Sequence, residues 1–243
     1  MSKIEIDKIN KYLPFAKDAS TFAAVQEQGT RLACALPYQL AVDAGLNAEK
    51  TALRLSFAAA KTAFGQQLEA AGAAFNVYTS GSYKKEAGKT WAYAVKAGDS
   101  LEDSWEVKAF ENGNYDLSVN GPNGFFRQFK GDMADPSIEM ASVYEQSGLL
   151  KKLTGNLQLI LENKEHTTVE VLIKDEVYMA NSKTIKVAAN SKKIVTLNLQ
   201  KSKGWYDFII TVTGRQNFLK HYAGHVETGE ESISDPFMGG MIA

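Results

Sequence analysis

The sequence predicts an all-β protein made of two tandem immunoglobulin-like β-sandwich domains. Short runs of alternating apolar and polar residues recur about every 10 residues, with turn residues between them, as a β-sandwich produces. Blocks in the first half reappear in the second at a spacing of about 93 residues, too long for a solenoid unit but suited to a duplicated small β-domain. The chain has 243 residues, 44% hydrophobic and 23% charged, which is enough for one large all-β domain or two ordinary ones.

Residues 1–31 read as an N-terminal linker with a short helix. Ile4, Ile6, Ile9, Tyr12 and Leu13 supply its apolar positions, Pro14 closes it, and Gln26-Glu27-Gln28-Gly29 is irregular. The first sandwich repeat spans 32–134. In it "LPYQLAVDAGL" and "TALRLSF" alternate as strands with one wet face. "AAAKTAFGQQLEAAGAAF" has helical propensity but is interrupted by Gly65 and Gly72, leaving a short helix and an ordered loop as alternatives. "AFNVYTS", "KTWAYAV" and "DSWEVKAF" follow as strands. Asp132, Asp135 and Pro136 in "GDMADPSI" mark the boundary. The second repeat, 135–243, carries strands in "GNLQLILEN", "TTVEVLIKD", "SKTIKVAAN", "KKIVTLNLQ" and "GWYDFIITVTG", then a C-terminal tail.

The most emphatic local signal is "GNYDLSVNGPNGFFRQFKGD". Gly121-Pro122-Asn123-Gly124 joins two alternating runs, so a β-hairpin is expected: proline sets φ early in the turn, and asparagine and glycine accept the left-handed region after it. Gly113-Asn114-Tyr115-Asp116 matches Gly204-Trp205-Tyr206-Asp207, and the block from Gly124 to Gly131 matches Asn217 to Gly224. The Tyr-Asp strand and the aromatic return strand persist in both copies, which points to core packing. The Gly-Pro-Asn-Gly turn belongs to the first copy alone.

A search for chemistry returns little. Net charge is −1, and the lysine pairs at 151–152 and 192–193 are short, so no nucleic-acid footprint stands out. The single cysteine, Cys34, excludes an intrachain disulfide and a Cys-rich zinc site, and its apolar neighbours suggest a small buried hydrophobe. His221 and His225 have the spacing of metal ligands on a helix, but in a strand they stand about 13 Å apart, so no metal is expected. No nucleophile elbow and no phosphate loop is present, so neither a catalytic residue nor a cofactor is assigned. Phe125 and Phe126 are consecutive and must face opposite ways in a strand. With Arg127 they form the candidate contact set, for the other repeat, a missing partner or a lipid surface.

"YDLSVNGPNGFFRQFKGD" closely resembles the signature of the C-terminal domain of bacterial phosphocholine-specific phospholipases C. "QEQGTRLACALPYQLAVDA" is similar to the stretch that enters that domain, and "GWYDFIITVTGRQNFLKHYAGHVETGEESISDPFMGG" to its second copy. The resemblance implies a non-catalytic accessory region that packs on an N-terminal catalytic domain of the same parent protein, itself similar to alkaline and acid phosphatases. It also implies a secreted or periplasmic parent, although the chain shows no leader, and a possible contact with phospholipid. The Ala-rich stretch around 58–74 and the altered second turn depart from the pattern. Two other readings stand beside it. One is a carbohydrate- or protein-binding module using Trp91 and Trp105 as platforms. The other is a self-contained enzyme that would need His166 or His221 beside a carboxylate.

Overall fold

A computed structural model describes residues 29–61, 69–149 and 152–238. The helix expected near the N-terminus and most of the Ala-rich stretch therefore lie outside the described residues. The first copy contains β1 (Leu32–Ala33), β2 (Leu40–Leu46), β3 (Ala52–Ala59), β4 (Ala73–Thr79), β5 (Ser82–Tyr83), β6 (Glu86–Ala87), β7 (Thr90–Val95), β8 (Ser100–Glu106), β9 (Tyr115–Asn120) and β10 (Phe126–Gly131). The second contains β11 (Ile138–Ser147), β12 (Lys152–Asn163), β13 (Val169–Asp175), β14 (Lys183–Val187), β15 (Ser191–Leu197), β16 (Trp205–Val212), β17 (Arg215–His225) and β18 (Ser232–Ile233). Two single 3₁₀ turns, Val107–Ala109 and Glu111–Gly113, are the only helical segments among the described residues, and the all-β class holds.

The duplication is visible in the order of the strands. An eight-stranded sheet runs β14-β13-β16-β17-β10-β9-β4-β7, and two three-stranded sheets, β2-β3-β8 and β11-β12-β15, cover its inner face. From the centre outward the large sheet reads β10-β9-β4-β7 on one side and β17-β16-β13-β14 on the other. These are the same four strands of each copy in the same order. The tandem reading did not anticipate that the copies share one sheet. Antiparallel pairing of β10 with β17 fuses them, and Gln128 lies opposite His221, its own counterpart in the repeat. A pseudo-twofold axis therefore passes between those two residues.

Alternation explains the layers. In β16, Tyr206, Phe208, Ile210 and Val212 are buried while the residues between them are only partly covered, as a sheet with one wet face requires. Leu53, Leu55, Phe57 and Phe75 fill the first copy, and Leu157, Leu159, Leu161 and Ile210 the second, within one continuous apolar core. Strand β11 was absent from the sequence reading. Its inward positions run Ile138, Met140 and then the buried Ser142, so a polar residue interrupts the apolar alternation. Cys34 also differs from expectation: it is exposed, because the short edge strand β1 gives it no layer to pack into. The strand expected across 103–110 ends at Glu106 and turns into the two 3₁₀ segments.

Candidate functional site

The hairpin forms as its residues dictate. Asn123 and Gly124 both adopt positive φ, 55° and 70°, and the Phe125 amide donates to the Pro122 carbonyl at 3.2 Å. The tip does more than turn the chain. Asn123 Nδ2 donates to Glu227 Oε1 of the second copy at 2.8 Å, and Gly124 lies against the Trp205 ring. The turn peculiar to the first copy is thus a contact with the second.

Phe125 and Phe126 face opposite sides, as alternation requires. Phe125 is buried against Phe75, with ring centroids 5.8 Å apart. Phe126 lies half-buried on the outer face of the large sheet, edge-on to His221 at 5.2 Å. Arg127 is 1% exposed, so neither it nor Phe125 is available at the surface for a partner or lipid. The inward register of β10 places both inside the sandwich.

What Arg127 does is hold the seam. Its Nη1 donates to the carbonyls of Phe126 and Ala223 at 2.8 and 3.0 Å, and its Nη2 to Tyr206 Oη at 3.0 Å. The guanidinium lies 4.0 Å from the Phe125 ring centroid and 4.8 Å from that of Tyr222. Lys220 occupies the symmetry-related position. It sits 5.9 Å from both Phe218 and Phe129, and its Nζ donates to the Ala44 carbonyl at 2.6 Å. Each cation thus sits between the aromatic two residues earlier on its own strand and the aromatic opposite it on the partner strand. Facing both is Asp43 of β2, which accepts a hydrogen bond from Tyr222 Oη at 3.2 Å. Burial raises the Asp43 carboxyl above its ordinary value, against the pull of Arg127 and Lys220, while burial depresses the Lys220 ammonium to about 8. Two buried cations around one carboxylate is an arrangement that stabilises only while all its partners are in place.

Two of the three histidines meet carboxylates: His221, one of the two that the enzyme reading asked for, and His225, while His166 faces Asn190. His221 Nε2 lies 2.6 Å from Asp207 Oδ1, the counterpart of the 2.8 Å bond that Gln128 donates to Asp116 in the first copy. His225 Nδ1 lies 2.9 Å from Glu227 Oε1, and its Nε2 is 3.1 Å from both Ser232 Oγ and the Lys203 carbonyl. Ser232, His225 and Glu227 have the outline of a nucleophile, base and orienting acid. The Lys203 carbonyl stands as close to Nε2 as Ser232 Oγ does, and Ser232 Oγ also lies 3.4 Å from that carbonyl, so the three groups form a closed polar cluster in which the hydroxyl is shared with the backbone rather than held by the imidazole alone. Glu227 also accepts from the Leu36 amide at 3.2 Å. The group is a clasp that ties the chain entering the first copy, the hairpin tip and β18 to the end of β17. Asp207 and His221 lie 14 positions apart on neighbouring strands, and only the repeat alignment of Gln128 with His221 hinted at their pairing.

Among the described residues no three His, Cys, Asp or Glu side chains are grouped to hold a metal. Trp91 and Trp105 make no flat platform: Trp105 is buried, and the two rings meet edge to face at 5.5 Å. No described helix is long and apolar enough to cross a membrane.

Comparisons agree with this layout. The family model for the bacterial phospholipase C C-terminal domain matches residues 32–132 and 138–225. A non-hemolytic phospholipase C of Pseudomonas aeruginosa is 35% identical over 216 residues, covering 88% of this chain and 29% of the relative. Its counterpart from Burkholderia pseudomallei is 32% identical, covering 93% and 30%. A hemolytic phospholipase C of Pseudomonas aeruginosa is 31% identical, covering 88% and 30%. The chain therefore spans just under a third of the length of these relatives, and its two-copy architecture lies within the matched stretches. The chain belongs to the bacterial phospholipase C C-terminal domain family.

Proposed function

We propose that this chain is the accessory C-terminal region of a phospholipase C, without catalysis of its own, and that it packs on the catalytic domain of the same parent. One observation carries the reading: both copies match the C-terminal domain family, while the His225–Glu227 pair and the buried cations of the chain are spent on joining the two copies. The parent would cleave a phospholipid phosphodiester, with phosphocholine as head group by the resemblance of the hairpin signature, and would act after export to the periplasm or medium. Contact with a lipid surface is a second reading. Of the three residues first singled out, Phe126 alone still faces outward and could carry it.

The test compares phosphocholine release from a phosphatidylcholine substrate by this chain alone and by the chain joined to a catalytic region of its relatives. Release by the longer protein only is the expected result; release by the chain alone overturns the proposal. In the lipid arm, Phe126→Ser should lower vesicle co-sedimentation of the joined protein several-fold, and unchanged sedimentation removes the lipid reading while leaving the accessory role standing.

A further inference from the structure

The two copies are alike enough for their differences to be informative. In the first, Asp116 on the outer face of β9 lies opposite Lys130, whose Nζ comes within 3.2 Å of its carboxylate. In the second, the counterpart Asp207 lies opposite Ala223, the counterpart of Lys130. The lysine is gone, and both its volume and its positive charge are missing from that position.

A cleft of about 530 Å³ opens there, within the range of small-ligand sites. It lies between the outer face of β16 and β17, the hairpin tip and the chain after β18, and Ala223 and Asp207 are on its wall. Trp205, Tyr178 and Met238 give it an aromatic and apolar lining, and Asp235 adds a second carboxylate. Among the described residues no lysine or arginine lines it. Asp175 stands close by, and burial, followed by the Asp235, Asp207 and Asp175 carboxylates, pushes the Tyr178 phenol far above its ordinary value. His221 is bonded to Asp207.

The walls are built to stay open. The Trp205 indole is fixed by donating its N–H to the Ile233 carbonyl at 3.0 Å, and Tyr178 Oη by donating to Asp235 at 3.0 Å. Gly124 passes the indole with no side chain; a Cβ there would stand 3.6 Å from its six-membered ring, and the 70° φ is one that favours glycine. Its counterpart Asn217 is committed to Asp132 at 2.7 Å, and the counterpart of Trp205 is Asn114, so the first copy has neither wall.

From this we propose that the cleft binds a compact substituted ammonium ion, its charge set against Asp207 and Asp235 where the first copy places a lysine, and its alkyl groups against Trp205 and Tyr178. Carboxylates alone would suit an inorganic cation equally well. Aromatic and apolar walls favour an organic one, whose methyl or methylene groups gain from ring contact. The shared chemistry can come from a free amine in solution or from an ammonium-bearing lipid head group.

The experiment titrates isotope-labelled chain with tetramethylammonium chloride, following the Trp205 indole and Gly124 amide resonances, with potassium chloride as the ionic-strength control. A parallel arm measures co-sedimentation with vesicles of trimethylammonium-headed zwitterionic lipid and of phosphatidylglycerol. Two variants carry the decision. Ala223→Lys restores the missing lysine and should lower affinity at least tenfold while the protein melts no lower than the parent. Asp235→Asn should weaken binding by a smaller factor. Saturable shifts at those two probes, lost in Ala223→Lys, support the site and assign it to a free ammonium. Vesicle binding confined to the trimethylammonium lipid and lost in the same variant supports it and assigns a head group. Equal shifts with potassium chloride, or binding that Ala223→Lys leaves unchanged in both arms, overturn it.

Discussion

Lys220 offers the sharpest test of the buried seam. It is 4% exposed, its Nζ bonds only one carbonyl, and burial lowers its pKa from 10.5 to about 8, opposed by Asp43 of β2, Asp135 and Glu139. The folded protein therefore releases this proton before the unfolded chain does. Between those two values the unfolded state binds more protons, so stability must rise with pH through the window. Each unit of pKa difference corresponds to about 1.4 kcal/mol, so raising the pH from about 8 to 9.5 should add about 2 kcal/mol. Buried tyrosines such as Tyr115 and Tyr222 are held well above their ordinary value, so higher pH would add an opposing loss and the range should stop there. Urea unfolding at closely spaced pH values would measure the rise, and the same series on Lys220→Met should be flat over the interval. A parent protein whose midpoint does not climb, or a Lys220→Met curve that climbs equally, would refute a charged, desolvated amine at the seam.

Two further substitutions probe the same architecture. Arg127→Ala removes the donor to Ala223 and Tyr206 and one of the two cations facing Asp43, and should cost about 3–5 kcal/mol in urea unfolding. Arg127→Met keeps an apolar stem between Phe125 and Tyr222 and should cost clearly less; equal losses would mean that the stem's packing contributes nothing and the polar contacts account for the whole cost. Because the copies share a sheet, both variants should unfold in one transition rather than two. Gly131→Ala would drive a Cβ into Asp135 and to 2.5 Å from Tyr115 Oη, and is expected to cost about 1–3 kcal/mol by calorimetry, while Gly45→Ala, with open space at its Cβ, serves as the neutral control.

The hairpin, the duplication and most strands were legible because each is written in local residues: alternation of period two, and turns that only Pro, Asn and Gly accommodate. Strand β11 was not, since the buried Ser142, whose backbone N–H donates to Asp43, puts a polar side chain at an inward position and breaks the alternation. Arg127 was misread for a related reason. An arginine between two phenylalanines reads as surface when only its own strand is considered, and the ring that covers it, Tyr222, lies 95 positions later on a strand of the other copy. The carboxylates of His221 and His225 were equally hidden, being cross-strand and next-corner partners that no spacing rule links. What the repeat alignment did contain, unread, was the pairing rule itself. Gln128 aligns with His221, and a twofold axis through that position predicts each cation opposite an aromatic.

Fusion of the copies also explains why they could diverge on the outside while remaining alike within. Strands β10 and β17 would each be an open edge in a lone copy, with unpaired backbone groups exposed to other chains. Pairing them closes both edges, and the price is a set of inward residues (Phe125, Arg127 and Phe129 against Phe218, Lys220 and Tyr222) that must remain complementary across the seam. The outward residues carry no such constraint. Lys130 beside Asp116 is a half-exposed pair of the kind that contributes about 1 kcal/mol or less, so its loss in the second copy was tolerable to the fold. The consequence was chemical instead: an acidic, aromatic-walled cleft where the sister copy is filled, placed at the tip of the hairpin whose glycine leaves the Trp205 ring uncovered. A duplicated domain that keeps its seam and empties one outer position gains a site without risking its core.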